Sequence, residues 1–548
     1  SFYLNSDRYV KGTLQVKGPE TYEVYVNNEK QTAPDGKVSL SLEPHRYEIV
    51  IKYLAESDKA GTLKVSFDTE KEAVITATTD PEKRYTISDV FDGTRFRSVS
   101  LSPNGKYLLT SYQTTYPGGQ TAYFQQITDK TNGQVLMESS TNNFSWMPQS
   151  NRLYYTRKGL QGKELVTVDP VTKAETILSQ NLPDGWFSIA PTEDFLIFTI
   201  SEKGPEKDKD MEEILVPDDR QPGWRNRSFL HKYDLTTGVL ERLTYGHNST
   251  SLNDISKDGR YLLFTSSRRE LTKRPFSTKI LYRMDLQNRQ VDTLLEDPFI
   301  NYASFSPDGK QLAVSGSGEA FNKIGLNIAP GQTSNLADGQ LFIYDLSNKQ
   351  ATAVSKDFNP SIQSFTWNTG DKQIYLQGED KDCVRLYTLN PANGKISPVP
   401  LKEDILSDFT IAENTPELVY FGESASNSQR LYSMNLKKKE KESVCLKDLS
   451  KDILKDITLG KVHDWNFQAA AGDTIYGRYY LPPHFDPSKK YPLIVNYYGG
   501  TSPTERSLEN RYPSHTYAAL GYVVYIIQPS GATGFGQEFS ARHVNAWG

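Results

Sequence analysis

Ser306-Pro307-Asp308-Gly309-Lys310-Gln311-Leu312 reads as a strand end, a tight turn and a new strand, because Asp followed by Gly supplies the positive-φ turn position at little cost. The phrase returns as Ser102-Pro103-Asn104-Gly105-Lys106-Tyr107-Leu108 and as Ser256-Lys257-Asp258-Gly259-Arg260-Tyr261-Leu262. Weaker copies start at Met147, Ala190, Trp367 and Ala412, so seven starts fall at 102, 147, 190, 256, 306, 367 and 412. A second series interleaves with the first. In it an alternating strand ends in Asp or Asn, a polar turn follows, and another strand begins, as in residues 341–354 (LFIYDLSNKQATAV). Its Asp/Asn positions are 129, 169, 234, 285, 345, 390 and 435. Two hairpin series of seven, strictly alternating at a period of ~40–50 residues, predict four strands per repeat and a seven-bladed β-propeller. A pair of β-sandwiches competes with this reading, but sandwiches do not repeat a motif at fixed phase.

Outward from the repeats the pattern changes on both sides. Residues 20–28 (ETYEVYVNN) and 37–54 (KVSLSLEPHRYEIVIKYL) alternate apolar and polar residues around Asn-Asn, Asp-Gly and Pro turns, which predicts a small β-sandwich over residues 1–82. Such a module either braces the rest of the chain or binds carbohydrate or a surface. Between the third and fourth starts, residues 202–227 (EKGPEKDKDMEEILVPDDRQPGWRNR) form a charged insertion, read as a long loop. The propeller is placed at 83–455. From 456 to 548 the hairpins give way to strand–helix–strand. Residues 493–498 (LIVNYY) and 522–527 (YVVYII) are near-continuous apolar runs, expected to be strands buried on both faces. A short helix is expected near 513–520 and another from about 538 to 544.

The chain has 548 residues, 33 Tyr against 5 Met, and a net charge of −5. Aromatic-rich, Met-poor composition suits strands. There is no basic stripe to support nucleic-acid binding, and no apolar run of the ~18 residues a membrane span needs. Cys383 and Cys445 are the only cysteines. They form neither a disulfide framework nor a metal-ligand spacing, and whether they pair stays open. No cofactor is expected.

Residues 491–500 (YPLIVNYYGG) and, some thirty residues on, 528–536 (QPSGATGFG) follow the repeats. A propeller with this continuation resembles the prolyl oligopeptidase family of serine peptidases, and within it the dipeptidyl peptidase IV branch. The resemblance implies a mainly β chain whose last part opens an α/β-hydrolase domain. It implies a peptide substrate and hydrolysis through an acyl-enzyme, with release of dipeptides or short peptides. It also implies a periplasmic or secreted location, and leaves room for a homodimer. It assigns the oxyanion-holding hydroxyl to Tyr498, directly before Gly499-Gly500, with Tyr497 as packing. It suggests Glu212 and Glu213 as a clamp for a substrate's free amino terminus, because two carboxylates make charge-assisted bonds to an ammonium.

There are departures. Thr501 stands where the family commonly has Pro, and Gln528 and Ser530 stand where it often has Asn and Arg, which puts any contact of that Arg in doubt. No G-x-S-x-G occurs in the chain. The Ser, Asp and His of the triad are expected beyond Gly548, on further residues or on a second polypeptide. Without them the edge of the 522–527 strand would face water. The rival reading is a non-catalytic propeller that binds peptide, glycan or protein and carries a degenerate hydrolase remnant.

Overall fold

The computed structural model describes every residue except 7, 33, 44, 55–61, 70–74, 207–209, 212, 471, 473, 547 and 548. The chain is mainly β. Residues 93–139, 145–182, 186–242, 250–297 and 300–353 each form a four-stranded antiparallel sheet in simple chain order. Residues 361–398 and 405–448 form two more such sets, joined into one sheet by a single parallel pair, Val384 with Ile405. These are called units one to seven.

Six of the seven starts read from the sequence fall in the turn between a unit's first and second strands, and Trp367 is the last residue of the first strand of unit six. All seven Asp/Asn positions fall at the turn between a unit's third and fourth. The first turn closes through its own side chains. Ser102, Ser256 and Ser306 Oγ accept the N–H of Tyr107, Tyr261 and Gln311 at 2.9, 2.8 and 2.9 Å. The same hydroxyls donate to Asn104, Asp258 and Asp308. Gly105, Gly259 and Gly309 then take φ near +70°, a conformation in which a Cβ is costly. In the second turn the Asp or Asn carboxyl or amide oxygen accepts the N–H two residues on, as Asp129 does from Thr131, Asp345 from Ser347 and Asn390 from Ala392.

No unit buries its own apolar faces. Six buried clusters each draw on two successive units, and a seventh draws on units one and seven. One joins Phe96, Val99 and Tyr112 of unit one to Val419, Phe421 and Leu431 of unit seven. A hydrogen-bond device repeats the same relation. Where the first strand of unit four bulges, Asp254 accepts the Phe305 N–H of unit five at 2.8 Å. Where the first strand of unit seven bulges, Asp408 accepts the Val99 N–H of unit one at 3.0 Å. The Phe96 cluster and the Asp408–Val99 bond thus join unit seven to unit one.

Ahead of the units, a five-stranded and a three-stranded sheet share one core, with Leu14, Val24, Val38, Leu42 and Ile49 at its centre. Between the strands that end at Glu202 and begin at Arg227, the described residues of the insertion are loop apart from a short 3-10 turn at Pro217–Arg220, pinned by the Asp219–Arg225 pair at 2.6 Å. Cys383 and Cys445 are both free, the first buried and the second exposed. No helix among the described residues is long and apolar enough to cross a membrane.

Candidate functional site

The last part of the chain forms a four-stranded mixed sheet in the order Val462–Asp464, Gly477–Tyr480, Val523–Ile527, Leu493–Tyr497. Val523–Ile527 runs parallel to Leu493–Tyr497 and antiparallel to Gly477–Tyr480. Two expectations are corrected here. The 522–527 run is not an open edge: its strand lies between two neighbours with Val524, Tyr525 and Ile526 buried. The 493–498 run is not buried on both faces. It is the edge strand, with Leu493, Val495 and Tyr497 58%, 45% and 70% exposed. Apolar composition alone cannot place a strand within a sheet, because order is set by pairing with distant segments. Tyr497, read as a packing residue, is accordingly the most exposed of the three.

Tyr498 follows the edge strand and is 53% exposed. Its hydroxyl has no hydrogen-bond partner among the described residues. Its ring lies over Gly500, where an added Cβ would come within 2.3 Å of Cε1 and 2.6 Å of the hydroxyl, so glycine at 500 makes room for this ring position. The chain then turns through residues 501–505 against the Gly-rich loop. Thr533 N–H donates to the Thr501 carbonyl at 2.8 Å, and Thr533 Oγ lies 3.0 Å from the same oxygen. Gln528, one of the departures, is buried and grips Thr504 at both ends. Its Oε1 accepts the Thr504 N–H and its Nε2 donates to the Thr504 carbonyl, each at 2.8 Å. Ser530 is exposed. Short helices at Ser514–Ala519 and Gln537–Ala541 match the two expected.

This apparatus is seated on units five to seven by groups that sequence reading missed. Arg478 has no exposed surface, and its charge is accommodated by full pairing. It donates to Asp382 at 2.8 Å, the Thr504 carbonyl at 3.0 Å and the Tyr480 hydroxyl at 2.9 Å. Asp382 also pairs with Arg506 at 3.1 Å. Glu379 of unit six meets the Thr533 hydroxyl, and Asp338 of unit five accepts from Ser540 at 2.6 Å. Glu423 of unit seven accepts the N–H groups of Leu508 and Glu509, both at 3.1 Å, while Glu509 pairs with Arg95 of unit one at 2.5 Å. Burial pushes the carboxyls of Asp338, Glu379 and Glu423 up to about 6, 7 and 8, the last with help from Glu509.

Signals for two of these groups were in the sequence. Gly378-Glu379 and Gly422-Glu423 occupy the same place in the second strands of units six and seven. Glu379 is opposite Ser361, and Glu423 is opposite Ile405. A charged residue recurring at one phase of an apolar repeat marks a shared contact.

Of the other residues singled out, Glu212 lies outside the described residues and Glu213 is exposed on the insertion, near Arg225. His515 is buried between Tyr480 and Tyr85, and burial pushes its ring down to about 4.

No model of a known protein family matches the chain. It is 26% identical over 305 residues to dipeptidyl-peptidase 5 of Aspergillus fumigatus, a match that takes in 54% of this chain and 41% of that protein. The chain therefore matches about two fifths of the length of such relatives. In fold it is similar to the Pyrococcus horikoshii acylaminoacyl peptidase, with a TM-score of 0.64 at 15% identity over 84% of this chain and 68% of that one. It is also similar to a puromycin-hydrolyzing peptidase of Mycobacterium tuberculosis, with a TM-score of 0.56 at 11% identity over 83% and 69%. Over its run of four-stranded sheets the chain is homologous to the serine peptidases of the prolyl oligopeptidase family.

Proposed function

We propose that this chain is the propeller-bearing part of a serine peptidase that releases dipeptides or short peptides through an acyl-enzyme intermediate. In this reading the seven units close into a propeller over residues 83–455. The double sheet of 1–82 is a separate module, and 456–548 is the opening of an α/β-hydrolase domain completed by residues beyond Gly548 that carry the Ser, Asp and His. The location is periplasmic or secreted, and the substrate is an unfolded or short peptide able to pass the propeller.

The observation that carries this is Tyr498. A phenol hydroxyl with no hydrogen-bond partner among the described residues stands at the end of a parallel strand, its ring over Gly500 and its following residues clamped by Thr533 and Gln528. Acyl transfer builds negative charge on a carbonyl oxygen, and a preorganised O–H donor lowers that barrier. Glu212 and Glu213 would hold the substrate's ammonium, with E213Q raising KM for substrates with a free amino terminus and not for blocked ones. The main test is Tyr498→Phe in the full-length gene product, assayed on dipeptide anilides. A fall in kcat of ~10²–10³-fold with folding intact is expected. Full activity would remove Tyr498 from the site, and no hydrolysis by the unaltered protein would turn attention to what the propeller binds.

A further inference from the structure

Proton counting at Thr533 gives more than the fold. Thr533 Oγ is hydrogen-bonded to Glu379 Oε1 and stands 3.0 Å from the Thr501 carbonyl oxygen. A hydroxyl carries one proton. The Thr501 carbonyl can only accept. An ionised Glu379 can also only accept, so with the carboxylate charged one of the two contacts sets acceptor against acceptor. With a proton on Glu379 both are satisfied. Glu379 then donates to Thr533 Oγ, and the Thr533 hydroxyl donates to Thr501. Both side chains are buried, and with the carboxylate charged the Thr501 carbonyl keeps only the Thr533 N–H, at 2.8 Å.

We propose that Glu379, on unit six, is a positioning residue for the oxyanion site. Held neutral, it donates to Thr533, and Thr533 in turn holds the carbonyl of Thr501, three residues past Tyr498. The proposal rests on the reading of Tyr498 as the oxyanion donor. It makes the repeat region a contributor to the geometry of the chemical site as well as a cover over it.

The surroundings agree. Burial pushes the Glu379 carboxyl up to about 7 against the opposing bonds from Thr533 and Gln363. Glu505, from the segment that follows Thr504, and Asp338, from unit five, face it and add to the push. Burial pushes the Glu505 carboxyl itself up, and Arg478, which faces it, offsets only part of that push. On Glu379's own strand Asp380 is occupied by the Tyr387 hydroxyl, and the Lys381 ammonium lies over the Tyr476 ring. Above the Glu379 pKa the Thr533 proton is drawn to the carboxylate, the Thr501 carbonyl loses its hydroxyl donor, and the segment that carries Tyr498 loosens.

The test is amide hydrogen exchange of residues 499–505 between about pH 6 and about pH 8.5, corrected for intrinsic exchange. The unaltered protein is expected to exchange several-fold faster at the higher pH. Glu379→Gln keeps a donor that does not titrate, so protection should persist at both pH values. Thr533→Val should exchange fast at both, and Asp338→Asn should keep the response but move it toward lower pH. An E379Q variant with the unaltered pH response, or an unaltered protein with no response, would overturn the proposal. If E379Q does not fold, a pH response retained in T533V overturns it equally.

Exchange needs no turnover, so the two readings separate. In the full-length enzyme kcat/KM should fall as pH rises through about 7, and E379Q should lack that fall. An exchange response without hydrolysis leaves the proton assignment standing and sinks the peptidase reading. Hydrolysis without an exchange response does the reverse.

Discussion

Units six and seven carry the same residue at the same place and use it in opposite ways. Glu379 and Glu423 are each the penultimate residue of a second strand, each follows a glycine, and each is buried under the last part of the chain. Glu423 meets two backbone N–H groups, which can only donate, so it accepts from both without needing a proton of its own. Glu379 meets a hydroxyl that also stands 3.0 Å from a carbonyl, so only its protonated form leaves that hydroxyl free to donate to the carbonyl. Unit six supplements this neutral contact with the charged Asp382, whereas unit seven relies on amides. A carboxyl's role in a repeat is therefore set by the donors facing it, and the repeat itself supplies only the position.

The largest effect that would break the comparison comes from Asp382→Ala, which leaves Arg478 buried without its partner. It should cost about 3–5 kcal/mol in denaturant unfolding. A cost near zero would mean that the seam at unit six is not held by charge. Next is Glu423→Ala, which leaves the Leu508 and Glu509 amides without acceptors. A loss of about 2 kcal/mol is expected, with E423Q recovering most of it.

The pH dependence sharpens the contrast further. Both glutamates bind their proton more tightly in the folded chain than at the usual 4.5, so the folded state holds more protons above that value. Their contribution is complete below pH 4.5 and is lost as pH rises, by about 7 for Glu379 and about 8 for Glu423. Stability curves of E379Q and E423Q should therefore diverge from the unaltered protein over different windows. One shared window would erase the distinction between them.

The smallest effect is read with a thiol reagent. Cys445 of unit seven is exposed and should react first. Cys383, adjacent to Asp382, is buried with its thiol pushed up to about 12, and should react only when the seam opens. Equal rates would show the unit-six seam open in the resting protein.

Where the sequence was legible, the chemistry was local. The hairpin turns were readable because Ser102, Asn104 and Gly105 close their own turn within six residues, and the same holds at 256 and 306. Tyr498 drew attention because two glycines follow it. The burial of 493–498 was misread because an apolar strand looks the same at the edge and at the centre of a sheet. Glu379, Asp382 and Arg478 went unread because their partners lie some 100 to 150 residues away, and nothing in a single repeat announces such a partner. The phase of Gly378-Glu379 and Gly422-Glu423 was the one cue available.

The cluster that joins unit seven to unit one also sets a schedule. Val99 waits for Asp408, 309 residues downstream. At ribosomal rates of ~5–20 residues per second this is a delay of roughly 15–60 s. During that time Phe96, Val99 and Tyr112 have no partner for their apolar face. The first unit to be made is thus the last to be completed. A nascent chain would need shelter at unit one, and a premature stop in unit seven would leave a sticky surface exposed there.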